Sequence, residues 1–512
     1  MKTALCQKKY LALKPPTEED SRSAQVRILE ALKETREIQE PVKMTLSVMR
    51  QLEQICPREN WNVTVTLCWD ETRWLITNAE PGNHEQEVYG LAVDLGSTTV
   101  VMQLVNCHTG KVLAQTSVRN RQRERGLEIL SRIFYAKDQP EHLEELRRLT
   151  IDSISEGISL LESQTGIRGK DCSYMVISGN NTMIHFLAGI DPFPVFSSPY
   201  AVWADQIGFC SARELQISIS GMVYCIPARA NYLGGDIISG LMDVDIYHRE
   251  QIQLFFDVGT NGELVIGNRD FLIAGAGAAG PALEGEAIQT GMRAAKGAVS
   301  KVHLNDNTFT LSTIDDAPPV GICGSGITDM IAELYLNGWI DTKGRFLPEQ
   351  SDKIAWQEDR QEYGVCYAPN LWFYESDIAE FLKAKAAACT MIQILLQEIG
   401  IEVEDVETLY MAGAFGTHID KHSAVTIGMY PDIPLEKIHR AGNSSLNGAR
   451  KLLLDKNKLE EIPKILSLMS YLQFGSVDNF LSEMTAAEAI PHTNIEKYPS
   501  VEAERKKRSG KE

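Results

Sequence analysis

The sequence predicts an α/β protein in which a duplicated domain follows a small amino-terminal module, and three observations support this prediction. The chain has 512 residues, of which 44% are hydrophobic and 23% charged, as expected for several globular domains. Near residue 88 the sequence changes from mixed helical segments to strands separated by glycine turns. A strand–Asp-x-Gly–turn–strand pattern occurs around Asp94 and again around Asp257, 163 residues later, which indicates duplication of a whole domain.

Residues 1–86 form the first predicted domain, a linker or docking module. A Pro15-Pro16 turn precedes a polar helical pattern, and the alternating segment Trp61-Asn-Val-Thr-Val-Thr-Leu is typical of a half-buried strand. The predicted elements are two helices and two strands, at residues 21–40, 44–55, 61–67 and 71–77. No group of residues suited to catalysis occurs in this segment, and polar residues separate it from the next domain.

The first copy of the duplicated domain is predicted at residues 88–250. A buried strand ends in Asp94-Leu-Gly-Ser-Thr-Thr, and the hairpin that follows turns again at Gly110. The predicted strands lie at residues 89–94, 100–105, 111–117 and 174–178, with a long helix near residues 141–165.

The second copy is predicted at residues 251–493, because the same pattern returns as Phe256-Asp257-Val-Gly-Thr-Asn-Gly. Strands at 263–266 and 271–274 follow it. The last residues, 494–512, are rich in Pro, Glu and Lys and contain Arg505-Lys-Lys-Arg508, so they are predicted to be a flexible basic tail.

The Asp-x-Gly-Ser/Thr turn is suited to binding the phosphates of a nucleotide. Its glycine allows a tight turn whose backbone N–H groups point into one concavity, and its hydroxyl groups add further donors. A carboxylate at each strand end, Asp94 and Asp257, could hold a hydrated Mg²⁺ over the phosphates. One such turn is weak evidence, but two copies are much stronger. The candidate phosphate ligands are Gly96, Ser97, Thr98 and Thr99 in the first copy and Gly259, Thr260, Asn261 and Gly262 in the second.

Two further glycine turns add to this prediction. The segment Gly413-Ala414-Phe415-Gly416 follows a strand and opens a helix, so it could approach a flat adenine and its ribose closely. An ordinary connecting loop is the alternative. Gly324 and Ser325 lie in a glycine-rich segment that precedes another predicted helix. This tight helix start could bind an anion.

Asp236, in Gly234-Gly-Asp-Ile-Ile-Ser-Gly, is the best candidate for a catalytic base. It could orient or deprotonate the water or hydroxyl group that attacks the γ-phosphate. A helix cap is an equally good interpretation of this residue.

Charge and hydropathy exclude several classes of protein. The formal net charge is −19, which argues against a protein that binds duplex nucleic acid. The best candidate for a membrane span, residues 271–283, has 13 uncharged residues and is rich in Gly and Ala, whereas a membrane-spanning helix needs about 18 consecutive apolar residues. The amino terminus has no apolar run typical of a signal peptide. We therefore expect a cytoplasmic protein that binds neither nucleic acid nor a membrane.

The ten cysteines are scattered, and no two lie within ten residues of each other. This spacing excludes every local C-x₂-C signature of a zinc or iron–sulfur site. We expect reduced and mostly buried thiols, and no iron–sulfur cluster in this chain.

With two phosphate turns and an adenosine turn in this order, the chain resembles the acetate kinase/sugar kinase/heat-shock protein/actin (ASKHA) ATPase superfamily. Within it, the chain is similar to the reductive activators of corrinoid proteins over nearly its whole length. The segments that carry this resemblance are AVDLGSTTVV, GNNTMIHFLAGIDPF, FFDVGTNGE, GAGAAGPALEGEAI, GICGSGITDMI, AGAFGTHID and PHTNIEKYPSV.

The resemblance implies a fold and an activity. The fold would be two RNase H-like halves around a nucleotide cleft, and a homodimer is expected. Family members use ATP and Mg²⁺ to drive the reduction of a corrinoid protein from Co(II) to the nucleophilic Co(I) state, which rescues methyl-transfer enzymes after oxidation.

The chain departs from the family in one important respect. Typical members carry an amino-terminal [2Fe–2S] domain with a C-x₄-C-x₂-C run, and this sequence has none. Electrons would then come from a separate ferredoxin-like donor. Two alternatives remain, a kinase acting on a small molecule and a non-redox switch in which ATP changes the shape of a protein that binds a corrinoid protein.

Overall fold

A computed structural model describes residues 3–198, 200–229, 233–259, 262–277, 283, 285, 288–305 and 307–508. The chain divides into two compact units. Unit 1 contains Met1–Asp243 and Ser444–Ser467, and unit 2 contains Val244–Asn443 and Leu468–Glu512. The segment 444–467 therefore belongs with the amino-terminal unit, although it follows most of unit 2 in the sequence.

The amino-terminal module contains a four-stranded sheet of order β1-β3-β4-β2. Only β2 pairs in parallel, with β4; the other pairs are antiparallel. The sequence prediction missed β1, a lysine-rich strand in which Lys8 is buried and forms an ion pair with Glu80. The elements are β1 (Cys6–Ala12), α1 (Ala24–Glu34), β2 (Val42–Met44), α2 (Leu46–Met49), α3 (Leu52–Ile55), β3 (Asn62–Asp70) and β4 (Arg73–Pro81).

The rest of unit 1 is built on a six-stranded mixed sheet of order β7-β6-β5-β8-β10-β9. Its central strand β5 pairs antiparallel with β6 and parallel with β8, so that Asp94 lies opposite Ser178. The elements are β5 (Tyr89–Leu95), β6 (Thr99–Asn106), β7 (Val112–Arg119), α4 (Ile129–Asp138), α5 (Pro140–Thr165), β8 (Cys172–Gly179), α6 (Asn181–Ala188), β9 (Gly208–Ser211), β10 (Met222–Cys225) and α7 (Gly235–Val244).

Unit 2 repeats this design with a second six-stranded sheet, of order β21-β20-β11-β12-β13-β22, and adds two three-stranded sheets, β15-β14-β16 and β17-β18-β19. Its first elements are β11 (Gln253–Val258), β12 (Gly262–Gly267), β13 (Leu272–Gly277), β14 (Ala298–Asn305), β15 (Thr308–Thr313), β16 (Gly321–Ile322) and α8 (Gly324–Leu336). They are followed by β17 (Ile354–Gln357), β18 (Glu362–Ala368), β19 (Leu371–Tyr374), α9 (Glu375–Ile399), β20 (Thr408–Ala412), α10 (Gly413–His418), α11 (Lys421–Thr426) and β21 (Ile438–Gly442).

The carboxyl-terminal part of the chain contributes to both units. In unit 1, α12 packs on β5 and β8. The remaining elements are α12 (Ser444–Leu454), α13 (Glu461–Leu468), β22 (Met469–Tyr471), α14 (Phe480–Ala487) and α15 (Pro499–Arg508).

The described part of the segment predicted to be a flexible tail is helical. Two arginines of α15 contact residues of α8: the guanidinium of Arg505 stacks on the ring of Tyr335 at 4.5 Å, and Arg508 pairs with Glu333 at 3.0 Å. The sequence could not indicate these contacts, since they join residues about 170 positions apart.

Each unit has its own apolar core, which confirms the predicted α/β fold class. In unit 1 the core lies between the six-stranded sheet and helices α4 to α6, around Val93, Ile154 and Ile177. In unit 2 it lies around Phe256, Ile331 and Leu395. Both Asp-x-Gly turns leave a strand of such a core, so each is fixed at one end by fully buried residues.

Candidate functional site

The first predicted phosphate turn joins β5 to β6 in unit 1. Asp94 is the last residue but one of β5, and Gly96, Ser97 and Thr98 form the connection to Thr99 at the start of β6. All five residues are partly exposed, whereas the strand residues on either side of them are buried. The turn therefore presents backbone and hydroxyl groups at the surface of unit 1.

Asn120 holds this turn through hydrogen bonds from the interior of unit 1. It is fully buried, and its side-chain Nδ2 donates to the carbonyl oxygen of Gly96 at 2.9 Å. Its backbone N–H donates to the carbonyl oxygen of Thr98, also at 2.9 Å. Because both carbonyls are bound on the protein side, the peptide units of the turn have a defined orientation.

A chain of hydroxyl groups holds the carboxylate of Asp94. Ser445, in the first turn of α12, donates from Oγ to Asp94 Oδ1 at 2.8 Å. Its Oγ also lies 2.9 Å from the Oγ of Ser178, the residue opposite Asp94 in β8. Ser178 Oγ lies 3.1 Å from the carbonyl oxygen of Gly235, the first residue of α7. The starts of α7 and α12 are thereby joined to the end of β5.

Asp236 lies in the first turn of α7, next to this group. Its side chain accepts a hydrogen bond from the backbone N–H of Ile237 at 2.9 Å. Burial of the carboxylate, followed by the negative charge of Asp94, raises the pKa of Asp236 to about 7. A carboxylate with this pKa can accept and release a proton near neutral pH, as a general base must.

The second predicted turn joins β11 to β12 in unit 2, after Asp257. Asp257 is partly exposed and lies opposite Glu263 in β12 and Ala412 in β20. Gly259 is partly exposed, and Gly262 is the buried first residue of β12. Thr260 and Asn261, which carry two of the predicted ligands, lie outside the described residues.

The third predicted turn reaches the second one within unit 2. Gly413 follows β20 with a φ of 80°, a conformation that glycine adopts readily. A Cβ at this position would lie 2.4 Å from the carbonyl oxygen of Val258 and 2.6 Å from Asp257 Oδ1. Only a glycine therefore allows the Gly413 backbone to approach the Asp257 carboxylate so closely. Gly416 is buried in α10, and the side chain of Ala414 lies outside the described part of the chain.

Gly324 and Ser325, which were predicted to precede a helix, are the first two residues of α8, and both are buried. The Ser325 hydroxyl donates to the carbonyl oxygen of Ser300 at 3.1 Å and lies 3.4 Å from Cys323 Sγ. The ring of buried Phe415 packs near Gly324, since a Cβ there would lie 2.9 Å from that ring. These contacts give Ser325 a partner inside the protein.

The carboxylates of Asp94 in unit 1 and of Asp257 in unit 2 each suit a hydrated Mg²⁺. Their hard oxygen atoms are the ligands that this ion prefers, and Mg²⁺ commonly takes its other ligands from water and phosphate. In unit 1 the charge of Asp94 raises the pKa of Asp236, a repulsion that a nearby divalent cation would relieve. Within the residues that the structure describes, no three His, Cys, Asp or Glu side chains are arranged to bind a metal ion by themselves.

Comparison with known families accounts for nearly the whole chain. The RACo linker region matches residues 3–86, the RACo middle region matches residues 89–249, and the C-terminal domain of RACo, the ASKHA domain, matches residues 251–502. A curated relative, the corrinoid activation enzyme RamQ of Eubacterium limosum, is 30% identical over 424 residues, which are 78% of this chain and 70% of RamQ. The chain belongs to the RACo family.

Two other similar proteins extend the comparison. The solved structure of a reductive activator for corrinoid, iron–sulfur protein superposes with a TM-score of 0.89 and 34% identity, over 98% of this chain and 81% of that one. The [Co(II) methylated amine-specific corrinoid protein] reductase of Methanosarcina barkeri is 30% identical over 261 residues, 47% of this chain and 46% of the reductase.

The structure also describes the thiols and the helices of this RACo family member. All ten cysteines are free; Cys107, Cys210 and Cys366 are half-buried and the others are buried. Among the helices in the described ranges, none has the length and apolar composition needed to cross a membrane.

Sequence reasoning missed three residues that hold Asp94 and its turn: Asn120, Ser178 and Ser445. Asn120 stands one position after the end of β7 and carries no motif. Ser445 is 351 positions from Asp94 in the sequence, so no local pattern could connect the two.

Proposed function

We propose that this protein hydrolyses ATP to drive the one-electron reduction of a corrinoid protein from Co(II) to Co(I), in support of corrinoid-dependent methyl transfer. The observation that carries this proposal is the similarity to a reductive activator for corrinoid, iron–sulfur protein over 98% of this chain. The names of the two curated relatives, a corrinoid activation enzyme and a Co(II) corrinoid protein reductase, support it.

The ATPase part of the proposal assigns the phosphates to the two Asp-x-Gly turns and the adenosine to the segment 413–416. The backbone N–H groups and hydroxyls of residues 96–99 bind phosphate oxygens, and residues 259–262 do so in unit 2. Asp94 and Asp257 hold Mg²⁺ through water, and the ion neutralises phosphate charge. The anchoring of the first turn by Asn120 and the hydroxyl network around Asp94 support this assignment.

Asp236 is proposed as the general base. The oxygen of a water molecule bonds to the γ-phosphorus while the bond to the bridging oxygen breaks, and the carboxylate of Asp236 takes the proton. The products are ADP and phosphate. The pKa of about 7 supports this role, because a substantial fraction of the carboxylate is then ionised at neutral pH and is basic enough to accept a proton.

The redox part of the proposal requires a separate electron donor of the ferredoxin type. The donor loses one electron and Co(II) gains it to form Co(I), so no other reductant is needed. Co(II) corrinoids are difficult to reduce, and ATP binding and hydrolysis favour the protein complex in which the transfer occurs.

The organisation of the working protein is proposed as well. Residues 1–86 serve as a linker and docking module, 88–250 and 251–493 as the two ASKHA halves, and the protein acts as a cytoplasmic homodimer. The ten free thiols support a reducing compartment. Light scattering of the purified protein measures the dimer directly.

An anaerobic visible spectrum tests the proposal. A Co(II) corrinoid protein encoded near this gene is mixed with the protein and a reduced ferredoxin, with and without Mg-ATP. We expect the Co(I) spectrum to develop only when ATP, the protein and the donor are all present. The D94N variant serves as the matched control, because it keeps the shape of the side chain and removes its charge.

The same reaction separates the alternatives. ATP hydrolysis without Co(I), in the presence of a corrinoid protein that another activator can reduce, would overturn the proposal. A phosphorylated small molecule among the products would then identify a kinase. Tight binding of ATP and corrinoid protein without reduction would identify a conformational switch.

A further inference from the structure

Helix α12 reaches the Asp94 site from a distant part of the sequence, and one of its residues touches the carboxylate directly. Ser445 is 5% exposed, and its Oγ donates to Asp94 Oδ1 at 2.8 Å. The chain leaves unit 2 at Asn443 and enters unit 1 at Ser444, so this contact forms entirely within unit 1.

The position of Ser445 is fixed by the packing of α12 on α7. Gly448 lies so close to Ser239 that a Cβ would be 1.9 Å from the Ser239 carbonyl oxygen. The Ser239 hydroxyl donates to the carbonyl oxygen of Ser445 at 2.6 Å. Further along, Lys451 pairs with Asp243 of α7 at 2.8 Å. Together with the packing of α12 on β5, these contacts to α7 leave the first turn of α12 little freedom to move.

The direction of α12 favours the same carboxylate. The amino-terminal end of a helix carries partial positive charge, which attracts an anion within the first turn. The side chain of Ser445 adds one hydrogen bond of defined direction to this attraction. An ionised carboxylate bound at one oxygen keeps the other oxygen oriented, whereas an unbound carboxylate rotates about its χ angles.

We propose that Ser445, in the first turn of α12, is a positioning residue for Asp94 in the magnesium–nucleotide site. This inference rests on the proposed function of Asp94. Ser445 itself contacts neither nucleotide nor metal ion in this proposal; it orients the carboxylate that does. With Ser445, the site includes a residue from a segment outside the Asp-x-Gly turns and the other glycine turns.

The adjacent serine provides a matched control. Ser444 is fully buried, and its Oγ has no hydrogen-bond partner among the residues that the structure describes. Ser444→Ala therefore removes a hydroxyl from the same turn of the same helix without removing a hydrogen bond. It should leave both the fold and nucleotide binding unchanged.

The test measures binding rather than turnover. Mn²⁺ replaces Mg²⁺, and electron paramagnetic resonance follows its binding to the full-length protein with a non-hydrolysable ATP analogue. We expect S445A to weaken Mn²⁺ binding about 10-fold, since a hydrogen bond to a charged group is lost. Nucleotide binding in the presence of EDTA should change less than about two-fold, because without a metal ion the orientation of the Asp94 carboxylate no longer matters for binding. Melting temperatures of all variants confirm that they are folded.

A double-mutant cycle distinguishes positioning from a general structural effect. If Ser445 acts through Asp94, S445A should have no further effect in the D94N background. An equal loss in both backgrounds, or a loss in S444A as large as in S445A, would overturn the inference. If D94N alone leaves Mn²⁺ and nucleotide affinity unchanged, it is the proposed function of Asp94 that fails.

Discussion

At the scale of single residues, the phosphate turn of unit 1 depends on one buried amide. The side-chain amide of Asn120 donates to the carbonyl oxygen of Gly96 and accepts a hydrogen bond from the backbone N–H of Gln122 at 3.0 Å. The backbone N–H of Asn120 donates to the carbonyl oxygen of Thr98. Peptide units held in this way keep their N–H groups directed toward a ligand before it binds. Such preorganisation increases affinity because the ligand does not have to order the turn.

Asn120→Ala should therefore weaken nucleotide binding about 10-fold and lower the free energy of unfolding by about 1–3 kcal/mol. Titration of a fluorescent ATP analogue measures the first effect and denaturant unfolding the second. Gln122→Ala is the control, because the buried side chain of Gln122 bonds Leu146, Thr150 and Arg132, which lie outside the turn. Equal nucleotide affinities in the two variants would contradict the role of Asn120.

Asp236 gives the site a predicted pH dependence. As a general base it must be ionised, so kcat/KM for ATP hydrolysis should fall as the pH drops below the pKa of about 7. Above that pH the rate should level off. Asp236→Asn should reduce hydrolysis by about 100-fold or more, since proton transfer contributes roughly that factor.

The measurement is a pH profile of kcat/KM in wild type and D236N. A wild-type rate in D236N would show that the residue is only a helix cap. A profile without an inflection between about pH 6 and 8 would likewise contradict its role as the base.

At the scale of elements, α8 carries a buried acid on which stability should depend. Asp329 is 6% exposed, and it accepts a hydrogen bond from the backbone N–H of Val302 at 3.3 Å and one from the side chain of Ser423. Burial raises its pKa to about 6, and the nearby charges of Asp420 and Glu333 act in the same direction. Since the folded state holds the proton more tightly than the unfolded state, stability falls as the pH rises through the window from 3.8 to about 6.

Asp329→Asn should stabilise unit 2 above that window, by up to about 3 kcal/mol on the scale of 1.36 kcal/mol per pKa unit. The difference from wild type should shrink below the window, where both side chains are neutral. Denaturant unfolding at about pH 8 and about pH 3 measures both values. A gain that is the same at the two pH values would show that the charge of Asp329 is not its cause.

The sequence predicted those elements that depend on local patterns. The hairpins after Asp94 and Asp257 and the helix start at Gly324 follow from strand alternation and glycine turns, which involve only neighbouring residues. The position of Ser445 does not, because the contact with Asp94 is made by a segment 351 residues away. In the sequence, Ser444-Ser445 at the first turn of α12 has the pattern of an ordinary helix start. Only the structure places this turn beside β5.

At the scale of the whole molecule, the chain crosses between its units more than once. The segment 444–467 folds with residues 1–243, although β21 of unit 2 ends immediately before it. Amide exchange reports cooperative unfolding units rather than neighbours in sequence. The amides of α12 should therefore exchange together with those of β5 and β8, and separately from those of β20 and β21.

A pair of matched core substitutions tests this grouping in the intact protein. Ile177 in β8 and Ile438 in β21 are both fully buried, and Ile→Val costs about 0.5–1.5 kcal/mol at such sites. I177V should speed exchange in β5, β8 and α12 by a common factor of about 5, leaving β20 and β21 unchanged. Ile438 lies only six residues before α12. I438V should nevertheless speed amide exchange in β20 and β21 and leave exchange in α12 unchanged. If I438V instead speeds exchange in α12 as much as in β21, then α12 unfolds with unit 2. Its first turn could not then hold Asp94 independently of that unit.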